Sequence, residues 1–163
     1  MLKEITIPNE RIAVLIGSHG TIKNKICNKT NVKIEINENS VLIIGEPFNV
    51  LDAEKIIYAI GRGFSPKNAF VLLNEDYYID TIKLPKEKNI LSRIRARIIG
   101  RRGYVKRYIE NSTNTLISIY GKTVCIIGKD TNIASESIKM ILNGKKLSTV
   151  FKFLEKRKKE EMI

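Results

Sequence analysis

Seven basic side chains fall within residues 93–107, and no acidic residue lies among them. They surround a Gly-x-x-Gly segment whose glycines are Gly100 and Gly103. Glycines at this spacing let the backbone approach a ligand closely, and a helix that begins after them presents free N–H groups to an anion. A solvated helix face can also be basic, but clustering around such a turn favours phosphate binding. The predicted phosphate-binding side chains are Arg93, Arg95, Arg97, Arg101, Arg102, Lys106 and Arg107.

A second Gly-x-x-Gly segment occurs near the start of the chain, with far less charge. Residues 10–24 contain two basic side chains, Arg11 and Lys23, against Glu10. We expect this segment either to bind a phosphate-bearing ligand weakly or to dock a protein, and the sequence leaves both alternatives open. The candidate residues here are Gly17, Ser18, His19, Gly20 and Lys23.

The two glycine segments belong to an internal repeat. When the chain is aligned with itself at an offset of 83 residues, positions 13–45 show 15 identities in 33 positions without a gap. Self-similarity of this extent indicates a tandem duplication of about 60–65 residues per copy.

Periodicity predicts the order strand, helix, helix, strand, strand, helix in each copy. In the first copy we expect Asn9 and Thr21 to cap the first two helices. The distance from Pro8 to Gly17 is nine residues, whereas that from Pro85 to Gly100 is fifteen. The first helix of the second copy is therefore predicted to be six residues longer.

Two further helices are predicted outside the repeat. Ser65-Pro66 is typical of a helix start and predicts a linker helix that runs through Leu73. After Gly144, apolar residues at helical spacing predict a C-terminal helix that packs on the body through Leu147, Val150, Phe151 and Leu154. The predicted organisation is a first domain over residues 1–63, a linker helix over 64–76, a second domain over 77–144 and a basic C-terminal helix over 145–163.

The charge of the chain is concentrated in its second half. Residues 1–63 contain 8 basic and 7 acidic side chains, and residues 64–163 contain 21 and 10, which together give the net charge of +12. Such a charge favours nucleic acid as the partner, with an anionic membrane surface as the weaker alternative. The sequence shows no apolar run of membrane-spanning length and no signal-peptide pattern, so we expect a cytoplasmic protein without a membrane partner. Two cysteines and one histidine predict neither a disulfide framework nor a metal site, and nothing in the sequence indicates a cofactor.

With this repeat and this order of elements, the chain resembles a pair of KH domains of the eukaryotic type (type I). The resemblance rests on two aliphatic residues before each Gly-x-x-Gly, an Ile-Lys or Val-Lys pair two residues after it, a Thr-Asn pair and an Ile-x-Ile strand. It implies an α+β fold of two tandem β-α-α-β-β-α domains, each with a three-stranded antiparallel sheet and helices on one face, plus a C-terminal helix. It also implies that the glycine turn clamps the backbone of single-stranded RNA while the bases lie in an aliphatic groove. In the second copy the groove residues implied are Ala96, Arg97, Ile99, Val105, Ile117 and Ile119, although alternate strand positions must face the core.

The second copy and the C-terminal segment resemble more specifically the archaeal members of the partner-of-Nob-one family. The matching residues are 97–103, 109–113, 120–123, 144–146 and 149–155. The eukaryotic members are assembly factors of the small ribosomal subunit. The resemblance implies binding near the 3′ end of small-subunit rRNA, a partner endonuclease that matures this region, and a link to the alpha subunit of the translation factor that delivers initiator tRNA.

Other functions remain as alternatives. A general KH-type binder of single-stranded RNA, for example in RNA decay, would have the same motifs. A nuclease or a nucleotide-dependent enzyme is disfavoured, because the acidic residues of the second copy are scattered and form no metal-binding cluster in the sequence. We therefore expect a non-catalytic RNA-binding protein in which the second copy is the main clamp.

Overall fold

The predicted order of elements occurs twice in the computed structural model, which describes residues 1–162. The chain divides into unit 1, Met1–Glu75, and unit 2, which begins at Asp76. The elements of unit 1 are β1 (Leu2–Thr6), α1 (Asn9–Ile16), α2 (Thr21–Thr30), β2 (Lys33–Asn37), β3 (Ser40–Ile44), α3 (Pro47–Gly61) and α4 (Pro66–Ala69). The elements of unit 2 are β4 (Tyr78–Lys83), α5 (Lys88–Ile99), α6 (Tyr104–Thr113), β5 (Leu116–Tyr120), β6 (Thr123–Gly128), α7 (Asn132–Leu142) and α8 (Leu147–Glu161).

Each unit contains an antiparallel sheet in which the last strand lies in the middle. The strand order is β1-β3-β2 in unit 1 and β4-β6-β5 in unit 2. In unit 2 the alternate residues Val124 and Ile126 of the central strand join a core with Ile98, Ile109 and Ile138 from the helices. The α+β fold and its β-α-α-β-β-α order are thus those of the type I KH domain.

The second helix of each unit ends at the repeated Thr-Asn pair. Asn31 and Asn114 adopt left-handed backbone conformations with φ of 55° and 53°, and each donates its N–H to a carbonyl of the preceding turn. Asparagine tolerates this conformation better than most residues, so the pair ends the helix and turns the chain into the next strand.

Two predicted helix caps are wrong. Asn9 and Thr21 are the first helical residues, and the residues before them, Pro8 and Gly20, occupy the capping positions without a side-chain hydrogen bond. Gly20 has a φ of 74°, a conformation that belongs to the glycine turn. Helix α2 therefore begins directly from the turn and leaves no position for a capping side chain.

The six extra residues of the second copy are divided between a helix and a loop. Helix α1 has 8 residues and α5 has 12, so the helix is four residues longer and the preceding loop takes the other two. Glu87 caps α5, because its carboxylate accepts the N–H groups of Ile90 at 2.8 Å and Asn89 at 3.1 Å. These hydrogen bonds hold the pKa of Glu87 below its ordinary value of 4.5.

The two helices outside the repeat form as predicted and pack within their own units. Ser65 caps α4 by accepting the N–H of Asn68 at 3.2 Å, and the chain continues as a 3-10 turn over Phe70–Leu73. In α8, Val150 and Leu154 are buried in the core of unit 2, and Leu147 and Phe151 pack against that core partly buried. The last residue of the predicted segment 145–163 lies outside the described residues.

Candidate nucleic-acid interface

The glycine turn of unit 2 links α5 to α6 through a backbone that requires glycine. Gly100 has a φ of 74°, and a Cβ atom on it would lie 2.4 Å from Val105 Cγ2 and 2.7 Å from Val105 N. Arg102 and Gly103 follow in left-handed conformations, and the Gly103 N–H donates to the Gly100 carbonyl at 3.2 Å. The first turn of α6 receives no side-chain cap, so its N-terminus faces the turn without a competing group.

The corresponding turn of unit 1 has the same backbone. Gly17 and Gly20 both have φ of 74°, and His19 has a φ of 56° where Arg102 has 54°. A Cβ atom on Gly17 would lie 2.5 Å from Ile22 Cγ1, which repeats the close approach at Gly100. Both copies therefore have the same turn backbone, and they differ in the side chains that the turn presents.

The side chains of the unit 2 turn make it strongly basic. Arg101 and Arg102 are exposed, whereas unit 1 has exposed Ser18 and His19 at these positions. Arg107, also exposed, donates from Nη1 to the Arg102 carbonyl at 2.6 Å. This hydrogen bond links the beginning of α6 to Arg102, whose left-handed backbone conformation is unfavourable for a residue other than glycine.

A groove runs along α5 beside the turn, with a volume of about 470 Å³. Ala96 is exposed and Ile99 is half-buried in this groove, in agreement with their predicted position. Arg95 also lines it, and its Nε is buried without a hydrogen-bond partner among the described residues. Lys88, Leu91 and Ser92 complete the lining on the same helix, and sequence reasoning missed all three. Lys88 and Leu91 lie among the six residues that the first copy lacks.

Two of the predicted groove residues belong to the core instead. Val105 and Ile117 are each 3% exposed and pack in the hydrophobic cluster of unit 2. Ile119 is half-buried against the same cluster. The alternation of β5 places its isoleucines toward the helices, and the close approach at Gly100 draws Val105 inward.

Several of the predicted basic residues have partners within the protein. Arg97 donates to the Lys145 carbonyl at 2.8 Å and to the Ile141 carbonyl at 3.3 Å, so it joins α5 to the end of α7. Lys106 lies 3.9 Å from Glu110, whose other oxygen accepts the Ile117 N–H at 2.9 Å. The remaining predicted side chains, Arg93 on α5 and Lys23 on α2, are exposed and half-buried respectively.

Within residues 1–162, no group of three or more His, Cys, Asp or Glu side chains could hold a metal ion. In the same range, no helix has both the length and the apolar character that crossing a membrane requires. What the interface offers a ligand is a glycine turn, positive charge and an apolar groove.

Comparison with family models identifies both units. Residues 77–159 match a model of the eukaryotic type KH domain (KH-domain type I) built on the second such domain of Pno1, and residues 2–59 match the KH domain model. The KH domain-containing protein MJ0443 of Methanocaldococcus jannaschii is 36% identical over 96% of this chain and 74% of its own length. The chain belongs to the partner-of-Nob-one (Pno1, Dim2) family of two-KH-domain proteins.

Two further relatives of this family extend the comparison. The pre-rRNA-processing protein pno1 of Aspergillus fumigatus is 27% identical over 94% of this chain and 67% of its own length. A Pyrococcus horikoshii chain solved in a complex of a/eIF2alpha, aDim2p and rRNA is 41% identical, with a TM-score of 0.90 over 98% of this chain and 95% of that chain. The family's fold is thus shared across the whole described chain.

Proposed function

We propose that this chain is an RNA-binding assembly factor of the small ribosomal subunit, and that the glycine turn of unit 2 is its main clamp on single-stranded RNA. One observation carries the assignment to unit 2. The two turns have backbone angles that agree within a few degrees, yet only unit 2 presents two exposed arginines on its turn. Phosphate affinity depends on charge as well as on backbone shape, so the two turns should differ in strength.

The clamp follows from the geometry of the turn. A phosphate can approach the glycines closely because they lack side chains, and the N-terminus of α6 attracts its negative charge. Arg101 and Arg102 are exposed on the turn and can add charge-assisted hydrogen bonds to the phosphate. The bases then lie in the groove along α5, where Ala96 and Ile99 offer apolar contacts and the Arg95 side chain lines the wall.

The family members support rRNA as the ligand. The archaeal relative Dim2p has been solved with rRNA and a/eIF2alpha, and the Aspergillus relative is named as a pre-rRNA-processing protein. By extension, we assign to this chain the 3′ region of small-subunit rRNA and the alpha subunit of the initiator-tRNA-delivering factor as partners, with a pre-rRNA endonuclease acting on the bound RNA. The chain itself has no catalytic step in this proposal, and it acts in the cytoplasm where ribosomal subunits are assembled.

Charge reversal at the two turns tests which unit is the clamp. We expect Arg101→Asp combined with Arg102→Asp to weaken RNA binding about 100-fold, because two charge-assisted contacts are lost. The matched control is Ser18→Asp combined with His19→Asp, which adds the same acids to the same backbone and should change the affinity little. Aspartate tolerates the left-handed conformation of the second position, so neither variant should disturb the turn. Equal losses in fluorescence-anisotropy titrations would contradict the assignment to unit 2.

The RNA target is tested by crosslinking in cells followed by sequencing of the bound RNA. Enrichment at the 3′ region of small-subunit rRNA is the expected result. Enrichment spread over unrelated transcripts would instead favour a general single-stranded RNA binder, and it would leave the clamp in place.

A further inference from the structure

A second cavity, of about 670 Å³, lies on the other side of the glycine turn from the α5 groove. Its lining includes Arg101 and Arg107 from the turn and α6, Tyr104 at the start of α6, and Leu147 and Phe151 from α8. We call it the Tyr104 pocket. One of its walls comes from α8, and the others come from the glycine turn and α6.

Aromatic rings form the floor of the Tyr104 pocket. The rings of Tyr108 and Phe151 have centroids 4.5 Å apart, and Tyr104 meets Phe151 edge-on at 6.1 Å. The Tyr108 hydroxyl donates to Glu155 at 3.1 Å, which fixes α6 to α8 at this level. Burial and this hydrogen bond raise the pKa of Tyr108 above its ordinary value. Tyr104 is therefore held by rigid neighbours while 54% of its surface stays exposed.

The charges around the pocket select an anion. Three arginines line it, Arg101, Arg102 and Arg107, and no acidic side chain does among the described residues. A flat exposed ring beside arginines matches a nucleotide, which combines a stacking surface with a phosphate. The pocket also adjoins the turn that we assign as the phosphate clamp, so an RNA strand held by the turn passes its entrance.

Unit 1 lacks each of these features at the matching positions. Thr21 stands where unit 2 has Tyr104, and Asn24 stands where it has Arg107. Lys25 occupies the position of Tyr108, and its Nζ lies 4.6 Å above the ring of Phe70. The aromatic side chain after the last KH helix is thus covered by a lysine in unit 1, while the corresponding Phe151 supports exposed Tyr104 in unit 2.

We propose that the Tyr104 pocket binds the base of a nucleotide that flanks the clamped segment, stacked on Tyr104, with its phosphate contacted by Arg101 and Arg107. This inference rests on the proposed function. It extends the RNA footprint beyond the four or so nucleotides that a KH module holds. It also makes α8 part of the RNA-binding surface of unit 2.

The test compares RNAs of different length on the full chain. One series copies the 3′ end of archaeal small-subunit rRNA and is shortened one nucleotide at a time from each end; a second series is oligouridine of the same lengths. In the wild type, one added flanking nucleotide should raise the affinity about tenfold, the effect of one stacked base. Tyr104→Thr, which installs the residue of unit 1, should abolish this gain and leave the affinity for the shortest bound RNA unchanged. Tyr104→Phe should keep the gain.

A second readout reports the base directly. 2-Aminopurine at the flanking position should be quenched on binding to the wild type and to Tyr104→Phe, and it should stay fluorescent with Tyr104→Thr. The pocket proposal would be wrong if Tyr104→Thr kept the affinity gained from the flanking nucleotide, or if it lowered the affinity equally at every RNA length. Neither result would contradict the proposed clamp. If Arg101→Asp combined with Arg102→Asp left the affinity for the shortest RNA unchanged, the proposed clamp would be wrong. The pocket proposal, which rests on the clamp, would then be wrong as well.

Discussion

At the scale of single residues, a basic side chain beside the glycine turn of unit 2 also makes a hydrogen bond within the turn. Arg107 is basic and exposed, yet its guanidinium is hydrogen-bonded to the Arg102 carbonyl at 2.6 Å. It can therefore act by positioning the turn as well as by attracting phosphate. In unit 1 the matching residue is Asn24.

The two roles of Arg107 are separable with Arg107→Asn. If the residue positions the turn, the affinity for single-stranded RNA should fall several-fold while the slope of log affinity against log salt stays nearly constant. If it contacts a phosphate, the slope should become shallower by about 0.7. Because the pocket proposal gives Arg107 a flanking phosphate, the shortest RNA should show the first behaviour and the extended RNA the second. Amide exchange at Gly103 is expected to accelerate in either case.

Gly100 differs from other glycines with positive φ in what surrounds it. Gly100→Ala should destabilise unit 2 by about 3 kcal/mol, from backbone strain plus the collision with Val105. Gly144→Ala is the matched control, because Gly144 has a φ of 83° but nothing within 4 Å of the added Cβ. Gly144→Ala should lower the free energy of unfolding only by the backbone strain, about 1 kcal/mol. Exchange free energies at the core amides of unit 2 measure both, and equal costs would show that the collision is relieved without penalty.

At the scale of elements, one arginine in each unit joins the first KH helix to the end of the last. Arg11 donates to the carbonyls of Ile60 at 2.7 Å and Phe64 at 2.8 Å, and Arg97 donates to those of Ile141 and Lys145. The acceptors are 81 residues apart in both pairs, whereas the arginines are 86 apart. In both copies an arginine of the first helix thus donates to the carbonyls at the end of the last KH helix. The two arginines occupy adjacent turns of that first helix.

This contact assigns a structural role to Arg97. Arg97→Met keeps the length of the side chain and removes its donors, and it should lower the stability of unit 2 by about 2 kcal/mol. Arg93→Met on the same helix removes the same charge from an exposed position and should change stability by less than about 0.5 kcal/mol. Both variants should reduce RNA affinity to a similar, small extent. A large loss of RNA affinity for Arg97→Met, with the stability of unit 2 unchanged, would show instead that Arg97 contacts RNA.

The segment after the last KH helix also belongs to the duplicated architecture. At an offset of 81 residues, Gly63 and Gly144 both have positive φ, and Phe70 aligns with Phe151. The segment is short in unit 1 and becomes the 15-residue helix α8 in unit 2. Sequence comparison at the offset of 83 misses this correspondence, because a two-residue shift follows the last strand of the repeat.

At the scale of the whole molecule, the net charge of +12 is concentrated outside the first copy. The first 63 residues are nearly neutral, so the electrostatic part of RNA binding should come from the remainder. If the turn and the arginines beside it contact three or four phosphates, the slope of log affinity against log salt should be about −2 to −3. Ser18→Asp with His19→Asp should leave this slope unchanged in anisotropy titrations. A flat salt response in the wild type would argue against backbone clamping.

The sequence by itself determined the repeat, the element order and the two glycine turns, because each rests on spacing along the chain. Periodicity is local, and the glycine turns are recognisable because each Gly-x-x-Gly recurs within the same repeated motif. The same reasoning predicts that Arg101 and Arg102 belong to the proposed clamp. It also located the start of the linker helix at Ser65-Pro66, where capping chemistry is encoded in adjacent residues.

Only the tertiary structure decided which side chains are free to meet a ligand. Arg97 and Arg93 are both basic residues of one helix, and their different roles depend on carbonyls more than forty residues away. Val105 and Ile117 looked like groove residues and are core, because packing rather than residue type sets their exposure. The Tyr104 pocket could not be predicted at all. Its walls come from α6 and α8, and burial of the apolar face of α8 brings Phe151 beneath Tyr104.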